Sequence, residues 1–298
     1  LPALGFFDVY PMRYSFVADH FQYLASLGLI ALGSGLVVLA ARRITNHNCV
    51  LVGATVFLLV ILGGTTWRQC RIYEDPELLW RHTIDRNPAC WLAHNNLGVS
   101  LNKQGQTVPA LYSFLNALQY HPGHANAYYN LGNLMLEEGW VDTASNLFRA
   151  AIHFKPDHAL AHNNLANVLK QQTRVDEAIH HYRAAINAAP RLTLAHYNLA
   201  GLLVEHGEPK EAIEHLEQLV TFKSQHIEGR LHLARLLADE GRLREAAGHL
   251  LDVVRQKPDH GTAHHDLAVC LLKAGADRRA VVHLREALRI DPDNPRRL

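Results

Sequence analysis

The feature that most constrains the fold of this chain is a repeat with a period of 34 residues that begins at Trp91. Six units align in one register without insertion, over residues 91–124, 125–158, 159–192, 193–226, 227–260 and 261–294. A fixed period of this length indicates one supersecondary unit used again and again, because a single unit cannot bury its own apolar face. The sequence therefore predicts an array of stacked units.

Recurring residue types within the unit indicate two helices packed against each other. Position 7 is always leucine, position 8 is glycine or alanine, and position 20 is always alanine. Position 24 is large and apolar, and position 32 is proline in five of the six units. At helical spacing the apolar positions form one stripe on each helix, and the small residues let the helices approach closely. Glycine near position 15 suits the turn between them, and the proline ends the second helix.

This pattern resembles the tetratricopeptide repeat, and the resemblance covers residues 91–294. It implies an all-α fold, a right-handed α-solenoid of six helix-turn-helix repeats. Residues 68–90 are predicted to form a connecting half-repeat with Asp75 as N-cap of its helix, and residues 295–298 a tail. In the fourth unit Leu219 replaces the small residue expected at position 27, and Ser224 replaces the proline. We therefore expect the joint after that unit to be the loosest of the array.

Two apolar runs without a charged residue, 23–41 and 49–67, precede the repeats. Each is close to the roughly 20 residues that a bilayer core requires, so we predict a transmembrane helical hairpin over residues 23–67. A buried hairpin in a soluble core is the alternative. Residues 1–22 are interpreted as a truncated extramembrane loop of a longer protein. Arginines are equally numerous on the two sides, and only the pair at 42–43 favours a cytoplasmic turn, with the repeats lumenal or periplasmic.

One column of the repeat is not needed for packing. Position 6 reads Asn96, Asn130, Asn164, Asn198, His232 and Asp266. A side-chain amide both donates and accepts hydrogen bonds, so a regular row of amides can hold the backbone of an extended peptide whatever its sequence. Asn133 and Asn167 at position 9, with Asn95 and Asn163 at position 5, would widen this polar lining. The row is similar to the asparagine ladder of the nucleocytoplasmic O-GlcNAc transferase, whose repeats also read N-L-G or N-L-A.

The predicted peptide-binding residues are Asn96, Asn130, Asn164, Asn198, Asn133 and Asn167. We expect them to line a concave face that binds a polypeptide or protein partner. The alternative is that these amides only solvate the helix surface or bond to the neighbouring repeat. Asparagine is a mediocre helix former, so four in one column indicate a specific role in either case.

Other site classes find little support in the sequence. The net charge is +1, which does not indicate a nucleic-acid partner. Of the 21 histidines, the adjacent pairs His180-His181 and His264-His265 point about 100° apart on a helix and are poorly placed to share an ion. The histidines at position 4 are interpreted as packing residues. We therefore predict no metal site, no cofactor and no catalytic residue, since no nucleophile elbow, Walker loop, zincin or dinucleotide motif is present either.

A second resemblance covers residues 15–80. The segment 15–29 is similar to a V-A-[DE]-R-x-x-Y-[LM]-x-S-x-G motif that precedes a late span in multi-span glycosyltransferases related to protein O-mannosyltransferases. The matching residues are Val17, Ala18, Asp19, Tyr23, Leu24, Ser26 and Gly28, while His20 replaces the arginine. The resemblance implies a lipid-linked sugar donor and catalytic acidic residues in an upstream loop.

The predicted function is therefore a membrane-anchored repeat module that presents polypeptide to such a transferase. The alternative is a non-enzymatic scaffold, tethered to the bilayer, on which protein complexes assemble.

Overall fold

A computed structural model of the chain describes residues 57–58, 60–64, 67 and 75–292. The predicted loop 1–22, the predicted span 23–41, most of the predicted span 49–67 and the tail 295–298 lie outside these residues. Among the helices that are described, none is both long and apolar enough to cross a membrane.

Between residues 75 and 292 the chain is built of thirteen α-helices and has no strand. Two compact units are distinguished, Leu1–Pro122 and Gly123–Leu298. The first contains α1 (Pro76–Arg86), α2 (Trp91–Lys103) and α3 (Thr107–Tyr120). The second contains α4 (Ala125–Glu137), α5 (Val141–Phe154), α6 (Ala159–Gln171), α7 (Val175–Ala188), α8 (Thr193–Glu205), α9 (Pro209–Phe222), α10 (Ile227–Asp239), α11 (Leu243–Gln256), α12 (Gly261–Lys273) and α13 (Asp277–Ile290). The predicted all-helical repeat fold is confirmed over these residues.

The first unit shows how residue type sets the helix ends and the packing. Asp75 accepts a hydrogen bond from the backbone N–H of Glu77 at 2.9 Å, as predicted for an N-cap. The ring of Phe114 on α3 lies directly over Gly98 on α2, where a Cβ would be 2.6 Å from the ring. In this repeat position 8 is therefore glycine because the phenylalanine ring at position 24 occupies the space of a side chain.

In the second unit each repeat pairs a first helix (α4, α6, α8, α10 or α12) with a second helix (α5, α7, α9, α11 or α13). The leucine at position 7 and the alanine at position 20 are buried in all five pairs. Each pair also packs against the next one along the chain, so the core of this unit is continuous from one repeat to the next. This is the stacking that the 34-residue period predicts.

The turn between paired helices adopts a left-handed conformation. Gly139, Gly207, Gly241 and Gly275 have φ between 75° and 84° in the second unit. Thr173 stands at this place in the third repeat and has φ of 61°. A β-branched residue is strained there, since its Cβ crowds the backbone.

A close contact spans the joint after the fourth repeat, and the expectation that this joint is the loosest stays a prediction. Leu219 is fully buried, and its Cδ2 lies 2.6 Å from the place where a Cβ on Gly229 would be. Position 3 carries alanine in the other repeats. The larger side chain of Leu219, at the end of the fourth repeat, therefore fills the space that an alanine Cβ would occupy at position 229, at the start of the fifth.

Histidines at position 4 join each repeat to the end of the preceding one. The ring Nε2 pairs with the carbonyl oxygen of the proline at position 32: His162 with Pro156 at 3.0 Å, His196 with Pro190 at 3.0 Å and His264 with Pro258 at 2.9 Å. In the fifth repeat the Nε of Arg230 donates to the carbonyl of Ser224 at 2.8 Å. In these four repeats position 4 therefore carries a donor that satisfies a carbonyl at the joint, whereas Tyr128 occupies this position in the second repeat.

A second column of histidines caps the first helix of the repeats. The Nδ1 of His158 accepts from the N–H of Ala161 at 3.2 Å, and His226 and His260 make the same bond to Gly229 and Ala263. These residues replace the usual Ser, Thr, Asp or Asn at the N-cap. Burial lowers the pKa of His158, which keeps Nδ1 available as an acceptor.

Candidate peptide-binding surface

Six asparagines at positions 5, 6 and 9 of the repeat lie on three successive first helices of the second unit, α4, α6 and α8. We call the group formed by Asn130, Asn133, Asn163, Asn164, Asn167 and Asn198 the amide surface. All of them except Asn163 are partly exposed. Five of the six predicted peptide-binding residues thus lie on neighbouring helices of one unit.

The sixth predicted residue, Asn96, lies on α2 of the first unit and is also partly exposed. Its side-chain oxygen accepts a hydrogen bond from the amide of Asn95 at 3.2 Å. The same bond between positions 5 and 6 recurs in the third repeat, where Asn163 donates to Asn164 at 3.0 Å.

Hydrogen bonds between amides connect the repeats of the amide surface. Asn164 on α6 donates to the Oδ1 of Asn133 on α4 at 2.7 Å. Asn198 on α8 contacts two oxygens on α6, those of Asn167 at 3.1 Å and Asn163 at 3.2 Å. The position-6 side chain of one repeat thus bonds to position 9 of the preceding repeat. Bonding to the neighbouring repeat, which the sequence left open as an alternative, is present in the structure.

A buried tyrosine on the second helix of the third repeat also bonds to this network. The hydroxyl of Tyr182 on α7 donates to the Oδ1 of Asn167, the same oxygen that accepts from Asn198. Tyr182 is buried among the core residues, and burial raises its pKa, so the hydroxyl remains a donor. The orientation of the exposed amides is therefore set from within the repeat.

The residues at position 5 do not widen the polar lining. Asn95 and Asn163 are both buried, and their amide groups donate to the position-6 neighbour. Position 5 lies closer to the packed face of the helix than position 6 does, so the amide is used inside the protein. This expectation from the sequence was wrong.

The last two repeats present different chemistry at position 6. In the fifth repeat position 6 is His232. Position 9 of the preceding repeat is Gly201, which has no side chain that could bond to it. Asp266 accepts from the Nε of Arg235 at position 9 at 2.8 Å, an ion pair in place of an amide pair. The amide surface therefore ends at α8.

Two exposed leucines flank the amide surface. Leu160 and Leu194 occupy position 2 of α6 and α8, one helical turn before Asn164 and Asn198, and are 41% and 50% exposed. Tyr197 at position 5 of α8 is also partly exposed, and its ring lies beside those of His226 and His232. This apolar border was not predicted from the sequence, although leucine at position 2, which packing does not require, could have indicated it.

The described part of the chain holds no group of three or more His, Cys, Asp or Glu side chains that converge on a common point. Both described cysteines, Cys90 and Cys270, are buried free thiols. What this region offers chemically is hydrogen bonding through amides beside apolar side chains.

Paired antiparallel helices that stack along the chain, with an ordered polar row on successive first helices, define the class of helical repeat proteins. Family models described as tetratricopeptide repeat match residues 101–168, 157–225 and 231–295. The chain belongs to the tetratricopeptide repeat family.

Curated relatives match only part of the chain. It is 31% identical over 112 residues to the protein O-mannosyl-transferase TMTC1 of Mus musculus, and 30% identical over 112 residues to that of Homo sapiens. The match covers 37% of this chain but only 12% and 13% of those two proteins. The chain thus matches a small part of the length of these relatives.

Solved structures share the fold over most of their own length. The crystal structure of YrrB, a TPR protein with an unusual peptide-binding site, matches 61% of this chain and 93% of its own, with 26% identity and a TM-score of 0.56. The pilF protein of Pseudomonas aeruginosa matches 70% of this chain and 95% of its own, with 20% identity and a TM-score of 0.59. The second likeness concerns the fold alone.

Proposed function

We propose that the amide surface binds an extended polypeptide through its backbone. The observation that carries this proposal is a connected row of partly exposed amides on three successive helices, fixed in orientation by their bonds to one another. A preorganised row loses little conformational entropy when a ligand binds. Bonds to the neighbouring repeat and bonds to a peptide are therefore compatible roles of the same side chains.

The hydrogen-bonding capacity of the row supports this role. Asn164 donates one amide hydrogen to Asn133 and accepts one bond from Asn163. An amide has two hydrogens and two lone pairs, so Asn164 retains one donor and one acceptor site. Asn198 directs its nitrogen at α6 and retains its oxygen as an acceptor. A row that offers both donors and acceptors can pair with the N–H and C=O groups of an extended chain.

The direct bonds between α4, α6 and α8 also support a concave position for the row, because side chains that reach across successive first helices lie on the inner side of the array. Leu160 and Leu194 would contact apolar side chains of the ligand. The fold shared with YrrB, whose structure carries a peptide-binding site, is consistent with this proposal.

The test is binding of a permanently unfolded chain, reduced and carboxymethylated α-lactalbumin, to the whole protein. Replacing Asn164 and Asn198 together by alanine removes two ligand hydrogen bonds of about 0.5–1.5 kcal/mol each, so we expect about a tenfold loss of affinity. Asn187→Ala is the matched control, since it removes an exposed amide on the second helix α7 that is not part of the row. Equal affinity of the double variant at unchanged helicity, or an equal loss in Asn187→Ala, would contradict the proposal.

We further propose that the repeats are the C-terminal part of a membrane-anchored protein related to the protein O-mannosyl-transferases, and that they present polypeptide substrate on the lumenal or periplasmic side. The partial identity to the two TMTC1 proteins and the motif at residues 15–29 support this. The membrane-tethered scaffold without an enzyme remains the alternative. Sequence upstream of the chain that contains further spans and an acidic first loop would favour the transferase.

Thiol labelling in intact membrane vesicles tests on which side of the membrane the repeats lie. The native thiols of Cys90 and Cys270 are buried and unsuitable as probes, so a cysteine is introduced at the exposed Asn187 on α7. We expect an impermeant maleimide to reach Asn187→Cys only from the extracytoplasmic side. Labelling from the cytoplasmic side would contradict the proposed orientation, and release of the protein by carbonate would contradict the anchor.

A further inference from the structure

A second set of histidines lies on the second helices of the repeats, at position 23. These are His181, His215, His249 and His283. In three repeats the ring faces the position-4 histidine across the helix pair, and the two Nδ1 atoms approach closely: His162–His181 at 2.9 Å, His196–His215 at 3.2 Å and His264–His283 at 3.1 Å. We call these the histidine pairs.

The outer nitrogen of each position-4 ring fixes its tautomer. Nε2 of His162, His196 and His264 faces a proline carbonyl oxygen, which can only accept a hydrogen bond. Nε2 therefore carries the hydrogen, and the Nδ1 of the neutral ring presents its lone pair to the position-23 ring. Without a ligand, the Nδ1–H of that second ring donates to it.

The separation of the two Nδ1 atoms suits a shared metal ion, and the rings, whose centroids are 5.1–5.3 Å apart and which face each other as in an N–H···N bond, would tilt toward it. Zinc binds histidine nitrogen at about 2.0–2.1 Å, so two nitrogens on one ion at an angle of about 90–110° are about 2.9–3.4 Å apart. Histidine ligands in metal sites also typically donate their other ring N–H to a carbonyl or carboxylate, which orients the ring. The position-4 rings already make such a bond to the preceding repeat.

We propose that each histidine pair chelates one divalent transition-metal ion of the zinc class through its two Nδ1 atoms. The ion replaces the hydrogen shared between the rings. The position-23 ring loses its Nδ1 proton to water and gains one at Nε2, so that both rings stay neutral. In the fourth repeat the Oε1 of Glu211 lies 3.6 Å from the Nε2 of His215 and would accept this new hydrogen.

Each site would be open, with only two protein ligands. No third His, Cys, Asp or Glu side chain converges with a pair in the described residues, so water or an external ligand completes the coordination. The position-23 rings are partly exposed, which gives the ion a path from solvent. Imidazole ligands suit Zn²⁺, Ni²⁺ and Cu²⁺ but not Mg²⁺ or Ca²⁺.

The fifth repeat provides an internal control. Its position 4 is Arg230, whose guanidinium nitrogen lies 3.3 Å from the Nδ1 of His249 and 3.0 Å from the Oδ2 of Asp252. A guanidinium is always protonated and cannot ligate an ion. The first two repeats carry Ser113 and Leu147 at position 23. Among the repeats that the structure describes, the proposal therefore predicts three such sites.

The test is titration of the whole 298-residue chain with Zn²⁺, with bound metal counted after equilibrium dialysis. We expect three ions per chain above the weak background of surface histidines. His181→Ala, His215→Ala and His283→Ala should each remove one ion. His180→Ala changes an exposed histidine on the same helix as His181 and should leave all three. Equal stoichiometry in all four variants would overturn the proposal.

A gain of binding provides the sharper test. Arg230→His places a histidine opposite His249 and is expected to raise the count from three to four, with Co²⁺ giving the matching increase in visible absorption. Helicity of each variant is checked by circular dichroism, and if a loss variant does not fold, the gain variant decides. A count that stays unchanged in Arg230→His would overturn the proposal, as would the absence of Zn²⁺ binding to the wild-type chain.

Discussion

At the scale of single residues, the turn position of the repeat can hold a residue that disfavours the left-handed backbone conformation found there. The turn between paired helices requires a positive φ, which glycine adopts freely and which costs other residues about 1–2 kcal/mol. Thr173 is the only described non-glycine residue with a positive φ. The aligned sequence shows the exception, but only the structure shows that the backbone there keeps the left-handed conformation.

Thr173→Gly is expected to stabilise the protein by about 0.5–1 kcal/mol, because relief of strain exceeds the added conformational entropy of the unfolded chain. Urea unfolding followed by circular dichroism measures the change. Gly207→Ala, at the equivalent turn of the next repeat, is the inverse control and should destabilise. Loss of stability in Thr173→Gly would show that the threonine side chain contributes more than the strain costs.

At the scale of helices, the sequence predicted the paired elements, their core positions and the turns, because these follow from periodicity within one repeat. It did not predict which individual side chains from two helices contact each other. The exchange of size between Leu219 and Gly229, the histidine pairs and the bonds from Asn164 to Asn133 all join residues on different helices. The asparagines at position 6 show the reason. Such a side chain can bond to a ligand or to a neighbouring repeat, and the sequence alone does not distinguish the two.

Gly229→Ala is expected to destabilise the joint after the fourth repeat by about 1–3 kcal/mol, since the new methyl group would overlap Leu219. The nearby ring of His226 is a smaller obstacle, because Ala161 already follows the capping His158 in the same arrangement. Adding Leu219→Ala restores the small-residue contact of other repeats. Urea unfolding of the two single variants and the double variant should therefore give a favourable coupling of about 0.5–3 kcal/mol. Additive effects would contradict the size exchange.

At the scale of the whole molecule, buried and half-buried histidines couple stability to pH. Burial is the main cause that lowers the pKa of six histidines at positions 4 and 23: His162, His181, His196, His215, His249 and His283. For His181 the pKa is lowered to about 4. The unfolded chain therefore binds protons at a higher pH than the folded chain, and stability falls as pH decreases through the ordinary histidine pKa of about 6.5.

Thermal melts with a chelator present should show this dependence. We expect the melting temperature to fall as the pH is lowered from about 7.5 to about 5.5, since the unfolded state gains protons over this range while His181 stays neutral in the folded protein down to about pH 4. His181→Asn should reduce the dependence, and replacement of the exposed His180 by the same residue should not. Melting temperatures that are constant over this range would contradict the account.

The molecule as a whole is a tetratricopeptide repeat protein whose second unit carries a fixed row of amides on α4, α6 and α8. The most direct test of the proposal that this row binds polypeptide is hydrogen–deuterium exchange with and without reduced, carboxymethylated α-lactalbumin. We expect added protection in α4, α6 and α8, with the paired helices α5, α7 and α9 unchanged. Protection confined to the second helices, or none at saturating probe, would contradict it.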